Sequence, residues 1–254
     1  MQGAPSDSTP RQTDDAQATR PVIAIDGPAG AGKSTAARML ARRLGFLLLD
    51  TGAIYRSLAL LADERGIAPD DAPALAALAA SLDISFAPAP SGEGQIVRLA
   101  GRDVSEVIRT PPISDIASQV SSLPEVRQAL LALQRDLGKR GGYVVEGRDI
   151  GSVVLPWAPL KFFLTASPAE RARRRHEELT ARGVHSDLEA TLAEIIERDR
   201  RDETRAVAPL IRAPDALLID TSHLSLDEVV DRMESIARER LGAAFLLDAP
   251  KDSV

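Results

Sequence analysis

One octapeptide constrains this chain more than any other: Gly27-Pro28-Ala29-Gly30-Ala31-Gly32-Lys33-Ser34, with Thr35 following. It fits the pattern G-x-x-x-x-G-K-[ST] in full. The apolar run Val22-Ile23-Ala24-Ile25 precedes it, as a buried parallel strand would. Residues 34–44 then place Ala37, Leu40, Ala41 and Leu44 on one helical face, and Gly45 suits the position just past that helix. A glycine-rich turn between strand and helix lets backbone N–H groups converge on phosphate oxygens, and the helix N-terminus adds favourable potential. Lys33 is placed to reach the β- and γ-phosphates, and Ser34 to hold a bridging Mg2+. A glycine-rich turn with no ligand is the plain alternative. The motif alone implies a nucleoside triphosphate site, shared by switch GTPases, ATPase motors and small-molecule kinases.

The βα alternation continues. Strand-like runs fall at 46–49, 143–145, 160–164 and 216–219. Helical patterns fall at 52–65, 168–181 and 225–241. Such alternation predicts an α/β fold with a parallel sheet. Residues 70–108 break it. An Ala/Leu helix there is followed by Ile84-Ser85-Phe86, a loop at 88–94, Ile96 to Leu99 and a Gly101-Arg102 turn. This reads as a lobe with β structure of its own, the alternative being a long surface excursion. Residues 1–20 lack hydrophobic periodicity and read as a disordered tail, and 243–254 as a short tail whose Phe245-Leu246-Leu247 is able to dock.

Composition narrows the function classes. The 254 residues carry a formal charge of −6, so the global basic field of a nucleic-acid binder is missing. Aromatics at 3% give little support for base-stacking strips. Cysteine is absent, which removes disulfides, thiolate metal sites and catalytic thiols, and three scattered histidines make no metal triad. No apolar run approaches the roughly 18 residues of a membrane span, and no leader-like apolar segment is visible. The expectation is a cytoplasmic monomer without membrane or nucleic-acid partners.

Arginine is concentrated where a second phosphate would be useful. Thr51 reads as the cap of a helix on which Arg56 lies about one and a half turns later. Glu146-Gly147-Arg148-Asp149-Ile150-Gly151 directly follows an apolar strand, and strand C-termini border the ligand crevice of an open parallel sheet. Arg171, Arg173, Arg174 and Arg175 crowd one helix start. Arg198, Asp202 and Arg205 recur at helical spacing. Solvated, salt-bridged faces account for some of these residues. Arginine beside a phosphate cradle also suits an acceptor that must bring its own negative charge up to a γ-phosphate. A mobile Arg-rich lid would exclude water.

These blocks together resemble the bacterial cytidylate kinases. The likeness rests on IDGPAGAGKST, LLDTGAIYR, a stretch running from Val107-Ile108-Arg109-Thr110 through Ala117-Ser118-Gln119-Val120 to Pro124-Glu125-Val126-Arg127, then EGRDIGSVV and ERDRRDETRAVAPL. The resemblance spans residues 22–241. It implies a three-layer P-loop kinase fold with a five-stranded parallel sheet, in one kinase domain at 21–242. It also implies an enlarged monophosphate-binding lobe at about 51–122 and a short lid at about 168–205, with Arg171, Arg174 and Arg175 in the lid. By position, Gly27 to Thr35 would bind ATP. Thr51, Arg56, Arg148 and Arg205 would meet the acceptor phosphate, and Ser118, Arg127 and Asp149 would read cytosine. Arg198 and Asp202 would lie near the acceptor sugar and phosphate, with Arg109 close by. Lys33, Arg148 and Arg205 would carry catalysis. The implied reaction moves phosphate from ATP to CMP or dCMP with Mg2+.

The base assignment has independent chemical support. Cytosine presents an N4 donor and acceptors at N3 and O2. An Asp accepts from N4, while an Arg and a hydroxyl donate to N3 and O2. No base is needed to activate the acceptor, because a monophosphate is already ionised near neutral pH. A UMP or AMP kinase, and a slowly hydrolysing nucleotide switch, remain as rival readings.

Overall fold

The computed structural model describes residues 20–89, 95–181 and 183–242. The tail expected over 1–20 lies outside them except for Arg20, as does the whole of 243–254. Five short apolar runs form the central sheet: β1 (Val22–Asp26), β2 (Leu47–Asp50), β6 (Tyr143–Glu146), β7 (Leu160–Thr165) and β8 (Leu217–Asp220). All neighbours are parallel, in the order β2-β6-β1-β7-β8. Successive residues of a strand point to opposite faces. In β1, Ile23 and Ile25 pack with α1 (Lys33–Leu44) and α8 (Leu226–Leu241), while Val22 and Ala24 pack with Val154, Leu155 and Ala158 on the other face. Apolar residues at the first four β1 positions, facing both ways, thus give three layers.

A second body of structure runs from α2 (Thr51–Glu64) through α3 (Ala72–Ala80) to an antiparallel sheet of β3 (Ile84–Pro88), β4 (Gln95–Leu99) and β5 (Arg102–Asp103). A 3-10 turn (Val107–Arg109), α4 (Pro111–Val120) and α5 (Pro124–Lys139) complete it. Leu58, Leu75, Val97, Ile108 and Leu130 share one apolar core there, separate from the core under α1. α4 and α5 each begin at a proline, whose missing N–H costs a helix nothing at its first position. Helices α6 (Pro168–Ala181) and α7 (Leu188–Thr204) follow β7, and Asp187 caps α7 by accepting from the Ala190 amide at 2.8 Å. No helix among the described residues is long and apolar enough to cross a membrane.

Most element ends fall within one residue of the sequence reading, and at two of them the shift changes a residue's role. Thr51 is the first residue of α2, and its cap is Asp50, which accepts from the Ala53 amide at 3.1 Å. The Thr51 hydroxyl donates instead to the Glu146 carbonyl at 2.7 Å, joining the ends of β2 and β6. Ser225 is not helical but the cap of α8, in a reciprocal capping box with Glu228.

Candidate active site

The phosphate loop forms because β1 delivers the chain into a turn that only glycine tolerates. Gly27 has φ +142°, and a Cβ there would stand 1.9 Å from the Leu164 carbonyl oxygen of β7. The loop closes onto α1, with the Lys33 ammonium buried and donating to the Pro28 carbonyl at 2.7 Å. Burial, and then Arg148 nearby, push Lys33 down to about 7.

A cavity of about 1200 Å3 opens from this loop. Gly30, Lys33 and Ser34 form one end. Arg109, Ser118 and Arg127 form another side, and Arg148, Asp149, Arg198, Asp202 and Arg205 line the rest with Thr51, Arg56 and Arg175. A smaller cavity of about 530 Å3 lies beyond, between the α1 start, α6 and the β8–α8 turn. Gly32, Thr35 and Arg174 border both.

The arginines in the large cavity are held by carboxylates. Arg148 Nε donates to Asp202 at 2.9 Å, and Arg56 Nη2 to Asp50 at 2.6 Å. Asp149 is pinched between two guanidinium groups, Arg127 on one oxygen and Arg205 at 3.4 Å on the other. Arg205 also donates to the Ala208 carbonyl. A carboxylate offers about four lone-pair directions, so Asp149 can still accept from a ligand amine. Arg109 donates to the Ser105 carbonyl at 2.6 Å on the cavity wall. Positive charge is nonetheless in surplus. Arg198 has a buried Nε with no partner, and its guanidinium is pushed down to about 10 by burial and then by Arg148. The Nε atoms of Arg56 and Arg127 are buried without partners as well. Buried unpaired donors on cations are costly, and an anion removes the cost.

The three expected lid arginines separate. Arg175 lines the large cavity and pairs with Glu178 at 3.0 Å. Arg174 reaches the Thr221 carbonyl at 2.6 Å at the edge of both cavities. Arg171 does not face the cavity. It is buried beneath the phosphate loop, donating to the Ala29 carbonyl at 3.1 Å and forking onto Asp199 of α7 at 2.9 and 2.5 Å.

Sequence reasoning left two carboxylates out of the site. Glu146 ends β6, in register with Ile25 of β1, and accepts from the Ser34 hydroxyl at 2.9 Å. Its other oxygen is buried with no partner, and burial, then Asp50, push its carboxyl up to about 7. Asp26 ends β1 and accepts from the Ile150 and Gly151 amides at 2.7 Å each. The available signal was position: each is the last residue of a parallel strand. An unpartnered carboxylate oxygen beside a serine hydroxyl is a hard-oxygen donor set that fits Mg2+. Among the described residues no group of three His, Asp or Glu side chains could hold a metal unaided.

Comparison with known proteins bears on this geometry. The family model described as cytidylate kinase matches residues 23–239. The chain belongs to the cytidylate kinase family. A cytidylate kinase of Geobacter sp. (strain M21) is 51% identical over 220 residues, covering 87% of this chain and 94% of that protein. One from Pseudomonas aeruginosa (strain UCBPP-PA14) is 53% identical over 211 residues, covering 83% and 92%. The aligned span of the family contains the phosphate loop, the arginine-lined cavity and both strand-end carboxylates.

Proposed function

We propose that the large cavity holds CMP or dCMP end to end with ATP, and that the protein transfers the γ-phosphate of ATP to the acceptor, giving CDP or dCDP and ADP. The observation that carries this reading is the surplus of buried guanidinium beyond the phosphate loop, in a chain of the cytidylate kinase family. A nucleotide switch has no use for a second anion site of this depth.

In this reading the loop amides and Lys33 hold the ATP phosphates. The smaller cavity takes the ATP nucleoside, since Gly32, Thr35 and Arg174 border it and the main cavity alike. Arg56, Arg148, Arg198 and Arg205 receive the acceptor phosphate, with Thr51 and Arg109 shaping the wall. Asp202 orients Arg148 and lies near the sugar. Ser118, Arg127 and Asp149 meet the base. Asp149 accepts from the cytosine amine, whereas uracil would set a carbonyl against it, a mismatch worth on the order of 10⁴-fold. Ser34 and Glu146 would hold Mg2+ together with phosphate oxygens and water, and the ion would supply charge neutralisation across the transferring group. Arginines placed before the reaction stabilise developing charge with no reorganisation, and positioning supplies the remainder. The expected setting is the cytoplasm, where both substrates are made.

The test is a panel of CMP, dCMP, UMP and AMP in one ADP-release assay, with an acceptor-free control. Turnover confined to the cytosine nucleotides supports the reading. ATP splitting at the same rate without an acceptor removes it.

A further inference from the structure

The residue just before the phosphate loop has no role in the reading above, yet it is tied to the acceptor side of the cavity. Asp26 is 3% exposed, and no Lys or Arg lies within ion-pair distance of its carboxylate among the described residues. Its two oxygens take the backbone amides of Ile150 and Gly151, both at 2.7 Å. The Ile150 amide belongs to the same peptide group as the Asp149 carbonyl. That carbonyl in turn accepts from the Val153 and Val154 amides at 2.9 and 3.1 Å. The peptide plane on the C-terminal side of Asp149 is therefore gripped at both its N–H and its C=O.

The preceding turn is gripped too, because the Gly147 amide donates to the Ile25 carbonyl at 2.9 Å. The segment Gly147–Gly151 is thus riveted to β1 on either side of Arg148 and Asp149. Gly151 leaves room for this contact: a Cβ there would stand 3.3 Å from Asp26 Oδ2 and 2.9 Å from Lys161 Cδ. Burying a lone carboxylate is costly, so apolar packing would be the cheaper way to hold a loop. The carboxylate instead holds the peptide that follows Asp149 and the next one along.

We propose that Asp26 is a positioning residue for recognition of the acceptor base, fixing the Asp149 peptide through the Ile150 and Gly151 amides. The inference rests on Asp149 as the base-reading carboxylate. Asp26 touches no substrate; it sets the direction of a side chain that does.

The experiment compares Asp26→Asn, Gly151→Ala and Asp149→Asn by steady-state kinetics with CMP, UMP and ATP, alongside thermal midpoints. Asparagine keeps the shape of Asp26 but turns an N–H donor toward an amide N–H. The expected result for Asp26→Asn is a KM for CMP raised by on the order of ten- to a hundred-fold. Its KM for ATP should stay within about twofold, and its CMP-over-UMP preference should fall. Gly151→Ala disturbs the same contact with Asp26 in place and should show the same split, which keeps the question decidable if Asp26→Asn does not fold. Equal changes in both KM values, or an unchanged CMP preference in the variants that fold, overturn the proposal. If Asp149→Asn itself leaves CMP discrimination intact, the reading of Asp149 fails, and the proposal with it. Loss of discrimination in Asp149→Asn with none in the other two variants overturns only the role of Asp26.

Discussion

The Ser34 hydroxyl donates to one oxygen of Glu146 at 2.9 Å, while the other oxygen of that carboxylate is buried without a partner. Both groups are set by backbone, one at the start of α1 and the other at the end of β6. Glu146→Gln keeps the shape and removes the charge. The expected outcome is a 10- to 100-fold loss of Mg2+-dependent turnover, about the size typical of groups that orient a metal. A Mg2+ titration at saturating nucleotides checks it, the variant needing more metal for half-maximal rate.

Lys33 ionises in the neutral range because burial and the neighbouring Arg148 disfavour its charge, leaving it at about 7. Triphosphate oxygens favour the ammonium form and push it back up. ATP binding near pH 8 should therefore take up protons. Calorimetry in buffers of different ionisation enthalpy measures the uptake directly, and Lys33→Met should abolish it.

Asp26 behaves in the opposite sense. Burial raises its carboxyl from 3.8 to about 6, so the folded chain binds that proton more tightly than the unfolded chain does. Its contribution is fully present below about pH 4 and is lost as pH rises through 6. Relative to Asp26→Asn, the ligand-free wild type should lose stability between pH 4 and 7. Paired denaturant melts across that window check the sign.

Arg198 should trade stability for binding. Its Nε is buried and unpaired, and Arg148 repels it. Arg198→Met is expected to raise the thermal midpoint of the ligand-free protein while raising the KM for CMP about 10- to 150-fold, the worth of a hydrogen bond to a charged group. Cytidine, which lacks the phosphate, should inhibit both forms equally.

Arg171→Met should act on the other substrate. Removing one partner of a buried ion pair costs about 3–5 kcal/mol, and Asp199 would be left exposed to that cost. The Ala29 carbonyl also loses its donor. The expected signature is a lower thermal midpoint and a raised KM for ATP, with the KM for CMP little changed.

Local pattern made the phosphate loop legible, since Gly27, Gly32 and Lys33 keep a fixed spacing between an apolar strand run and a helical period. The second sheet was visible in Ile84 to Leu99 for the same reason. Thr51 was misassigned because Asp50 and Thr51 are both capping residue types, and a shift of one residue exchanges their roles. Helices α4 and α5 went unread although Pro111 and Pro124 mark their starts. Arg171 was grouped with the half-buried Arg174 and Arg175 because nothing local distinguishes one arginine in a polar helix from the next. Its burial comes from α7 and the phosphate loop closing over it. Asp26 and Glu146 take their meaning from sheet register, a long-range property.

Arg171 joins three parts of the chain that do different work: the root of α6, the Ala29 turn and Asp199 on α7. A guanidinium bonded to all three at once makes the junction a single joint. None of the three can shift at that point without straining its contact with the other two, so the placement of the phosphate-loop turn is tied to the packing of α6 on α7.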